Sequence, residues 1–135
     1  MIRNSRYVIA VHDLDRSARY YQDVLGFEVR LISDPGWRFF VRDQCVIMAG
    51  QCPDALSPHE LGDHSYFAYL EVDEIDAFHQ VVTEKGGTVI KPLRDEPWAM
   101  REFGIRTVDG HRIMFGQRIQ ATGRRPTPVG DPPGS

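Results

Sequence analysis

Val11-His12-Asp13-Leu14-Asp15 reappears, with similar residues in the same order, as Val72-Asp73-Glu74-Ile75-Asp76, 61 positions further along the chain. The similarity continues beyond these stretches. Residues 26–29 (GFEV) match 87–90 (GTVI) at the same offset, and residues 47–51 (IMAGQ) match 113–117 (IMFGQ) at an offset of 66. A repeat of this kind indicates two copies of one structural unit, and the growing offset places small insertions in loops.

Each copy shows the same order of local signals. An extended apolar run, 7–11 or 67–72, is rich in the β-branched and aromatic residues that favour strands. An amphipathic helix follows, with Asp13 as N-cap and Gly26 at the end in the first copy. Three short strands complete each copy. They are predicted at about 28–32, 37–42 and 45–49, and at about 88–91, 101–106 and 112–117. The sequence therefore predicts an α+β fold of two tandem βαβββ modules, about 1–56 and 64–119, which need a partner for their uncovered sheet faces.

The C-terminal segment has a different composition. Residues 120–135 contain four prolines and three glycines and no aromatic residue, which is typical of a disordered tail. Together with a length of 135 residues, this predicts one folded domain, 1–119, and a disordered tail. The first apolar run, Tyr7 to Val11, is too short for a signal peptide or a membrane span, so we expect a cytoplasmic protein that does not engage a membrane.

Charge and cysteine content narrow the possible partners. Sixteen basic and 19 acidic residues give a net charge of −3, and the basic residues are scattered along the chain. We therefore expect no nucleic-acid partner. The two cysteines, Cys45 and Cys52, form no CxxC motif, and we expect both to be reduced, with Cys45 buried in a strand.

Several of these motifs together resemble one known superfamily. The V-x-D-L sequence that opens the first helix, Leu25-Gly26-Phe27 at its end and Asp109-Gly110 before the last strand are similar to the vicinal oxygen chelate superfamily over about residues 5–118. This superfamily contains glyoxalase I, extradiol dioxygenases, fosfomycin resistance enzymes and bleomycin resistance proteins. The resemblance implies a curved, half-barrel-like mixed sheet with helices on the outside. It also implies a homodimer in which each crevice contains residues of both chains.

A narrower resemblance lies in the second module. Residues 96–106 (EPWAMREFGIR) look like the P-W-G-x-R-E-F-x-x-R stretch of the bleomycin resistance branch. Ala99 stands where that branch has glycine, and residues 107–110 (TVDG) stand where it has D-P-x-G. The resemblance therefore favours the bleomycin resistance branch.

Metal-dependent members of the superfamily place His or Glu at four inward-facing strand positions. Those positions fall on Arg6, Met48, Phe67 and Met114 in this chain. None of these is a usual ligand for a hard or borderline ion. We therefore expect no metal and no other cofactor. The alternative is a displaced site, for instance one built from His12, His64 and Glu71.

Strand alternation predicts what a groove would contain instead. With Phe67 facing inward, Tyr69 and Glu71 share its face, and His12 faces inward in the first module. Aromatic and thioether side chains suit flat or cationic organic ligands, and a carboxylate such as Glu71 would orient the ligand or favour a cation. The candidate ligand-contacting residues are Trp37, Phe67, Tyr69, Glu71, Trp98, Met48, Met114, Phe103 and His12.

Alternatives remain for several of these residues. Core packing explains Phe67 and the two methionines equally well. Trp37 and Trp98 follow turn residues rather than a core stripe, and by resemblance they and Tyr69 match aromatic positions that line the crevice of bleomycin resistance proteins. Another possibility is that Arg101, Glu102 and Arg106 form an interface network.

These observations favour a metal-independent binding protein that sequesters a small aromatic or cationic compound in a groove at a homodimer interface. No pair of nucleophile and base is recognisable in the sequence. One alternative is a lyase, isomerase or dioxygenase with displaced ligands, or with acid/base chemistry by His12 and Glu71. Another is a structural or regulatory dimer with a vestigial groove. The ligand itself cannot be named from the sequence.

Overall fold

The computed structural model describes residues 1–62 and 64–119, so the predicted tail, 120–135, lies outside the described residues. The first half of the chain contains β1 (Tyr7–Val11), α1 (Leu14–Asp23), β2 (Glu28–Leu31), β3 (Trp37–Arg42) and β4 (Cys45–Gln51). A single 3₁₀ turn, Pro58–Glu60, follows. The second half contains β5 (Tyr66–Glu71), α2 (Ile75–Glu84), β6 (Thr88–Glu96), β7 (Met100–Arg106) and β8 (Arg112–Arg118).

The two halves form two βαβββ modules, which confirms the predicted α+β fold. We call β1 to β4 with α1 module 1, and β5 to β8 with α2 module 2. The strand order is β1-β4-β3-β2 in one sheet and β5-β8-β7-β6 in the other. In each sheet the first strand runs parallel to the last, and the remaining pairs are antiparallel. The helix supplies the crossover that a parallel pair requires.

The repeat also explains how both helices begin. Asp13 caps α1 as predicted, because its Oδ1 accepts hydrogen bonds from the amides of Asp15 and Arg16. A second acceptor comes from the end of the last strand of each module. The Leu14 amide donates to Gln51 Oε1 at 3.1 Å, and the Ile75 amide donates to Gln117 Oε1 at 3.1 Å. The two glutamines are equivalent in the repeat, so each module uses the same device to satisfy a helix N-terminus.

The covered faces of the two sheets join in one hydrophobic cluster within the described part of the chain. In module 1, Tyr21 of α1 stacks on Phe40 of β3 with ring centroids 4.5 Å apart. In module 2, Phe103 of β7 and Phe115 of β8 stack at 5.4 Å beneath α2. Burial of large apolar side chains such as these is a major driving force for folding.

Each helix also contacts the other module. The Ser17 hydroxyl of α1 lies 2.8 Å from both carboxylate oxygens of Asp109, in the turn between β7 and β8. The helix of module 2 makes a corresponding contact with module 1. The Arg42 guanidinium of β3 lies 5.1 Å from the centre of the Phe78 ring of α2. The modules therefore pack through their helix-covered sides, and the uncovered face of each sheet points away from this junction. We call these uncovered faces the open faces.

Three strands differ locally from the prediction. β4 continues to Gln51 instead of ending at about 49. β6 continues to Glu96 instead of ending at about 91, with irregularities between Val89 and Lys91 and between Lys91 and Arg94. β6 is an edge strand, so Pro92 can lie within it without removing a ladder hydrogen bond. β5 has a bulge between Tyr66 and Ala68.

None of the helices in the described ranges is long and apolar enough to cross a membrane.

Candidate functional site

The carboxylate of Glu102 lies at the centre of a polar and aromatic cluster on the open face of module 2. Glu102 is in β7, and only 3% of it is exposed. Trp98 Nε1 donates to Glu102 Oε1 at 2.6 Å, and the Tyr69 hydroxyl lies 3.5 Å from the same oxygen. Lys91 Nζ lies 3.5 Å from Oε2. One carboxylate thus contacts side chains from β5, from β6 and from the loop before β7.

The turn between β6 and β7 places Trp98 over this face. The turn is closed by hydrogen bonds from the Ala99 amide to the Glu96 carbonyl and from the Ile119 amide to the Ala99 carbonyl. Ala99 has a φ of 65°, in the left-handed region that favours glycine. The indole is held at its nitrogen by Glu102 while the residue stays 50% exposed. Trp98 therefore presents an ordered apolar surface to solvent.

Glycines leave room for aromatic side chains on both open faces. A Cβ at Gly116 would lie 2.0 Å from the Tyr69 hydroxyl oxygen, and one at Gly50 would lie 2.9 Å from the Trp37 ring. Gly50 and Gly116 are equivalent positions of the repeat. In β4 and in β8, the glycine therefore allows an aromatic side chain to lie directly against the strand backbone.

Burial and the Glu102 carboxylate keep the Tyr69 hydroxyl protonated. Burial raises the pKa of the Tyr69 hydroxyl, and the neighbouring Glu102 carboxylate raises it further. A hydrogen bond from Arg94 lowers the pKa of Glu96, assisted by Lys91 at 3.3 Å. The Tyr69 hydroxyl is therefore a neutral donor at physiological pH, and Glu96 is a carboxylate that helps to hold Lys91.

The structure distributes the predicted site residues over two open faces. On module 2, Tyr69 and Trp98 meet at Glu102, and Met114 is the direct neighbour of Tyr69 and Gly104 in the sheet. Glu71 is exposed at the end of β5.

On module 1, Met48 pairs with Val8 and Phe39, and Trp37 lies over Gly50. His12 is exposed just beyond β1, where its Nε2 lies 2.7 Å from the Ala55 carbonyl oxygen.

Two predicted residues lie elsewhere. Phe103, which we expected in the groove, is completely buried and packs on the core side of β7 against Phe78 and Phe115. Alternation requires this position, because Glu102 beside it occupies the open face. Phe67 packs against the core cluster, and its ring meets Tyr7 and His111 edge-on. At the β5 bulge, Tyr66 takes the position over Gly104.

Sequence reasoning overlooked the central role of Glu102. The alternation of β7 separates Glu102 from Phe103, but no local pattern identifies which of the two faces the helix covers. Arg101, also considered as part of an interface network, lies on the covered side and pairs with Asp76 of α2 at 2.9 Å and with Asp95 at 3.1 Å. Lys91 was missed because β6 was expected to end there.

The metal-ligand positions of the superfamily do not fit a metal in this chain. They carry a guanidinium, a phenyl ring and two thioethers, from Arg6, Phe67, Met48 and Met114. These groups do not bind the hard or borderline divalent ions used for Lewis-acid chemistry. Among residues 1–62 and 64–119, no three His, Cys, Asp or Glu side chains come together as a metal site.

Comparison with known proteins agrees with this architecture. The model of the Glyoxalase/Bleomycin resistance protein/Dioxygenase superfamily matches residues 4–115. No curated protein matches the chain. Among solved structures, a bleomycin resistance determinant encoded on the transposon Tn5 is similar at 19% identity with a TM-score of 0.71, covering 87% of this chain and 98% of that one.

Two further solved structures show the same fold. TnmS3, an antibiotic binding protein from Streptomyces sp. CB03234, is 21% identical with a TM-score of 0.67 and coverage of 87% and 98% of the two chains. A glyoxalase-related enzyme from Clostridium phytofermentans is 19% identical with a TM-score of 0.71 and coverage of 88% and 97%. At these identities the structures share the fold with this chain, and the fold hosts both binding proteins and enzymes.

Proposed function

The chain belongs to the Glyoxalase/Bleomycin resistance protein/Dioxygenase superfamily, and on this premise we propose that it is a metal-independent protein that sequesters a small aromatic compound. Two structural neighbours are named as an antibiotic binding protein and a bleomycin resistance determinant, and these names support ligand binding. The ligand binds unchanged, and its rings contact aromatic side chains of the open faces.

The observation that carries this proposal is the exposed indole of Trp98. A tryptophan that is half exposed while its N–H is held by a buried carboxylate presents a large, ordered apolar surface. Tryptophan and tyrosine in this setting are typical of binding surfaces, because they add contact area at a low cost in conformational entropy. Tyr69, 42% exposed and held over Gly116, extends the same surface.

A second copy of the chain would complete the groove. Within one chain the open faces point away from the junction, so Trp37 on module 1 and Trp98 on module 2 do not face each other. Val8 on the open side of β1 is 64% exposed, which leaves apolar surface for a partner. In the proposed homodimer, module 1 of one chain and module 2 of the other face each other across two equivalent grooves.

Binding of an unchanged ligand needs neither a metal nor a catalytic group. Glu102 accepts from Trp98 and contacts Lys91, so its charge is already compensated by the protein. Glu71, exposed on the same face, would hold a positive charge on the ligand. Stoichiometric divalent metal in protein purified without a chelating tag, measured by elemental analysis, would contradict metal independence.

The direct test is dye binding by the Trp98→Ala variant. We would titrate the protein with neutral N-phenylnaphthylamine, cationic thioflavin T and anionic anilinonaphthalene sulfonate, and follow dye fluorescence. We expect at least one dye to bind. We expect Trp98→Ala to weaken the binding of that dye by about 1–3 kcal/mol, the usual loss for an aromatic anchor. The matched control, Val81→Ala, removes exposed apolar surface from α2 and should leave affinity unchanged. Failure of all three dyes to bind, or equal binding by both variants, would refute the proposal.

A further inference from the structure

The contacts of Glu102 differ from those expected of a ligand-binding carboxylate. Its side chain is almost completely buried, and one oxygen faces two donors, the Trp98 indole at 2.6 Å and the Tyr69 hydroxyl at 3.5 Å. The second oxygen faces Lys91 at 3.5 Å. A carboxylate with this many protein partners has little capacity left for a ligand.

The groups that Glu102 holds are the two most exposed aromatic side chains of the same face. Trp98 and Tyr69 come from different elements, a loop and a strand separated by 29 positions in sequence. Without a shared acceptor, each ring would be free to leave the surface, and ligand binding would have to order it. Fixing both aromatic side chains before binding removes the conformational entropy cost of ordering them when the ligand binds.

Two further features restrict the arrangement. Lys91 Nζ is shared between Glu102 Oε2 and Glu96 Oε1, at 3.5 and 3.3 Å, which fixes the orientation of the Glu102 carboxylate. The absence of a Cβ at Gly116 lets Tyr69 lie close to β8, within reach of Glu102. Any side chain at position 116 would displace the Tyr69 hydroxyl, because its Cβ alone would approach that oxygen to 2.0 Å.

We propose that Glu102 is a positioning residue that fixes Trp98 and Tyr69 in advance as one aromatic corner, and that it does not itself contact the ligand. This inference rests on the proposed binding function. It assigns the role of Glu102 to hydrogen-bond acceptance rather than to charge. A glutamine at this position keeps an acceptor oxygen for Trp98, whereas a leucine keeps the volume and removes the acceptor.

Binding measurements with two dyes separate positioning from direct contact. We expect Glu102→Leu to lower the affinity for both neutral N-phenylnaphthylamine and cationic thioflavin T by roughly tenfold. We expect the affinity of Glu102→Gln for each dye to lie within about threefold of that of the unmodified protein. The matched control is Glu84→Leu, the same change at an exposed position of α2, which should alter neither affinity. A loss of thioflavin T alone in Glu102→Gln would show direct recognition of a cation and overturn the inference.

A double-mutant cycle tests the link to Trp98. Trp98→Phe keeps an aromatic ring that cannot donate to Glu102. If Glu102 acts through Trp98 and Tyr69, Glu102→Leu costs distinctly less affinity in the Trp98→Phe background than alone. Equal costs in both backgrounds would overturn the positioning role.

A measurement without ligand distinguishes failure of this inference from failure of the proposed function. The chain has two tryptophans, so Trp37→Phe leaves Trp98 as the sole indole. We expect Glu102→Leu to lower its fluorescence anisotropy and to increase its quenching by acrylamide, and Glu102→Gln to change neither. Unchanged anisotropy in a folded Glu102→Leu variant would overturn the inference whether or not any dye binds. If the leucine variant does not fold, as judged by circular dichroism, Glu102→Met provides the same comparison.

Discussion

At the scale of single residues, Ala99 has a backbone conformation that does not suit its side chain. Its φ of 65° places it in the left-handed region, and the resemblance to the bleomycin resistance branch puts a glycine at this position. An alanine there costs roughly 1–2 kcal/mol in the folded state. The cost is borne at the turn that places Trp98 over the open face.

We therefore expect Ala99→Gly to stabilise the protein. Relief of the left-handed strain exceeds the added chain entropy of glycine, for a net gain of roughly 0.5–1 kcal/mol. Urea unfolding measures the effect. Ala10→Gly, the same substitution in extended β1, should destabilise the protein, and a loss of stability in both variants would contradict this explanation.

His111 is the residue through which acid should weaken the fold. Burial lowers its pKa to about 4, with a smaller contribution from the nearby His59 and His12. In the unfolded chain a histidine titrates near 6.5. Between these values the unfolded chain binds more protons, so stability is lost as the pH falls from about 6.5 to 4.

The variant His111→Phe keeps an aromatic ring against Phe67 and removes the titration. Between pH 7 and pH 4.5 the unfolding free energy of both proteins should decrease. The decrease should be smaller by roughly 1 kcal/mol in His111→Phe than in the unmodified protein. Chemical denaturation at the two pH values gives both quantities. Parallel pH profiles for the two proteins would show that His111 is not responsible.

At the scale of secondary-structure elements, the two helices share one N-terminal device but depend on it to different degrees. α1 has the Asp13 side-chain cap in addition to Gln51. The N-cap of α2, Glu74, makes no side-chain cap hydrogen bond within the described part of the chain. Gln117 is the acceptor for the Ile75 amide and also donates to the Asp73 carbonyl.

Gln117→Ala should therefore destabilise the protein more than Gln51→Ala. We expect a loss of about 1–2 kcal/mol for the former and about 0.5–1 kcal/mol for the latter, within the range measured for lost helix caps. Gln117→Glu keeps the acceptor and adds favourable negative charge at the helix N-terminus, but it loses the donor to the Asp73 carbonyl, so its stability should lie between those of the unmodified protein and Gln117→Ala. Thermal melts rank the three variants, and a reversed order of the two alanine variants would refute the argument.

At the scale of the whole molecule, the contact between Ser17 and Asp109 joins the modules. Burial raises the pKa of Asp109, and the Ser17 hydrogen bond opposes this rise. A carboxyl group whose pKa is raised by folding adds stability at pH values below its pKa in the unfolded chain. That stability is lost as the pH rises through its pKa in the folded protein. The Ser17 hydroxyl therefore matters most at neutral pH, where Asp109 is ionised.

We expect Ser17→Ala to cost about 1–3 kcal/mol at pH 7 and clearly less at pH 4, because the lost donor stabilises the ionised carboxylate. Ser33→Ala, at an exposed loop position, is the control. Urea unfolding at both pH values provides the comparison. A loss that does not depend on pH would show that Ser17 acts through packing alone.

The two-module fold and the alternation of side chains along each strand follow from residue patterns in the sequence. The repeat, the Asp13 cap, the approximate bounds of β2 and β3 and the separation of Phe103 from Glu102 all follow from residue type and spacing, because they depend on neighbours within a few positions. The same reasoning identified Trp98 as a loop residue outside any core stripe.

The tertiary structure alone decided which side of each strand the helix covers, and thus that Phe103 lies in the core while Glu102 joins Trp98, Tyr69 and Lys91. It also decided that the modules pack through their helix-covered sides. These relations depend on a bulge in β5, irregularities in β6 and contacts between residues as much as 92 positions apart, such as Ser17 with Asp109. No local pattern encodes such contacts, because their free energy comes from groups that meet only after the chain has folded.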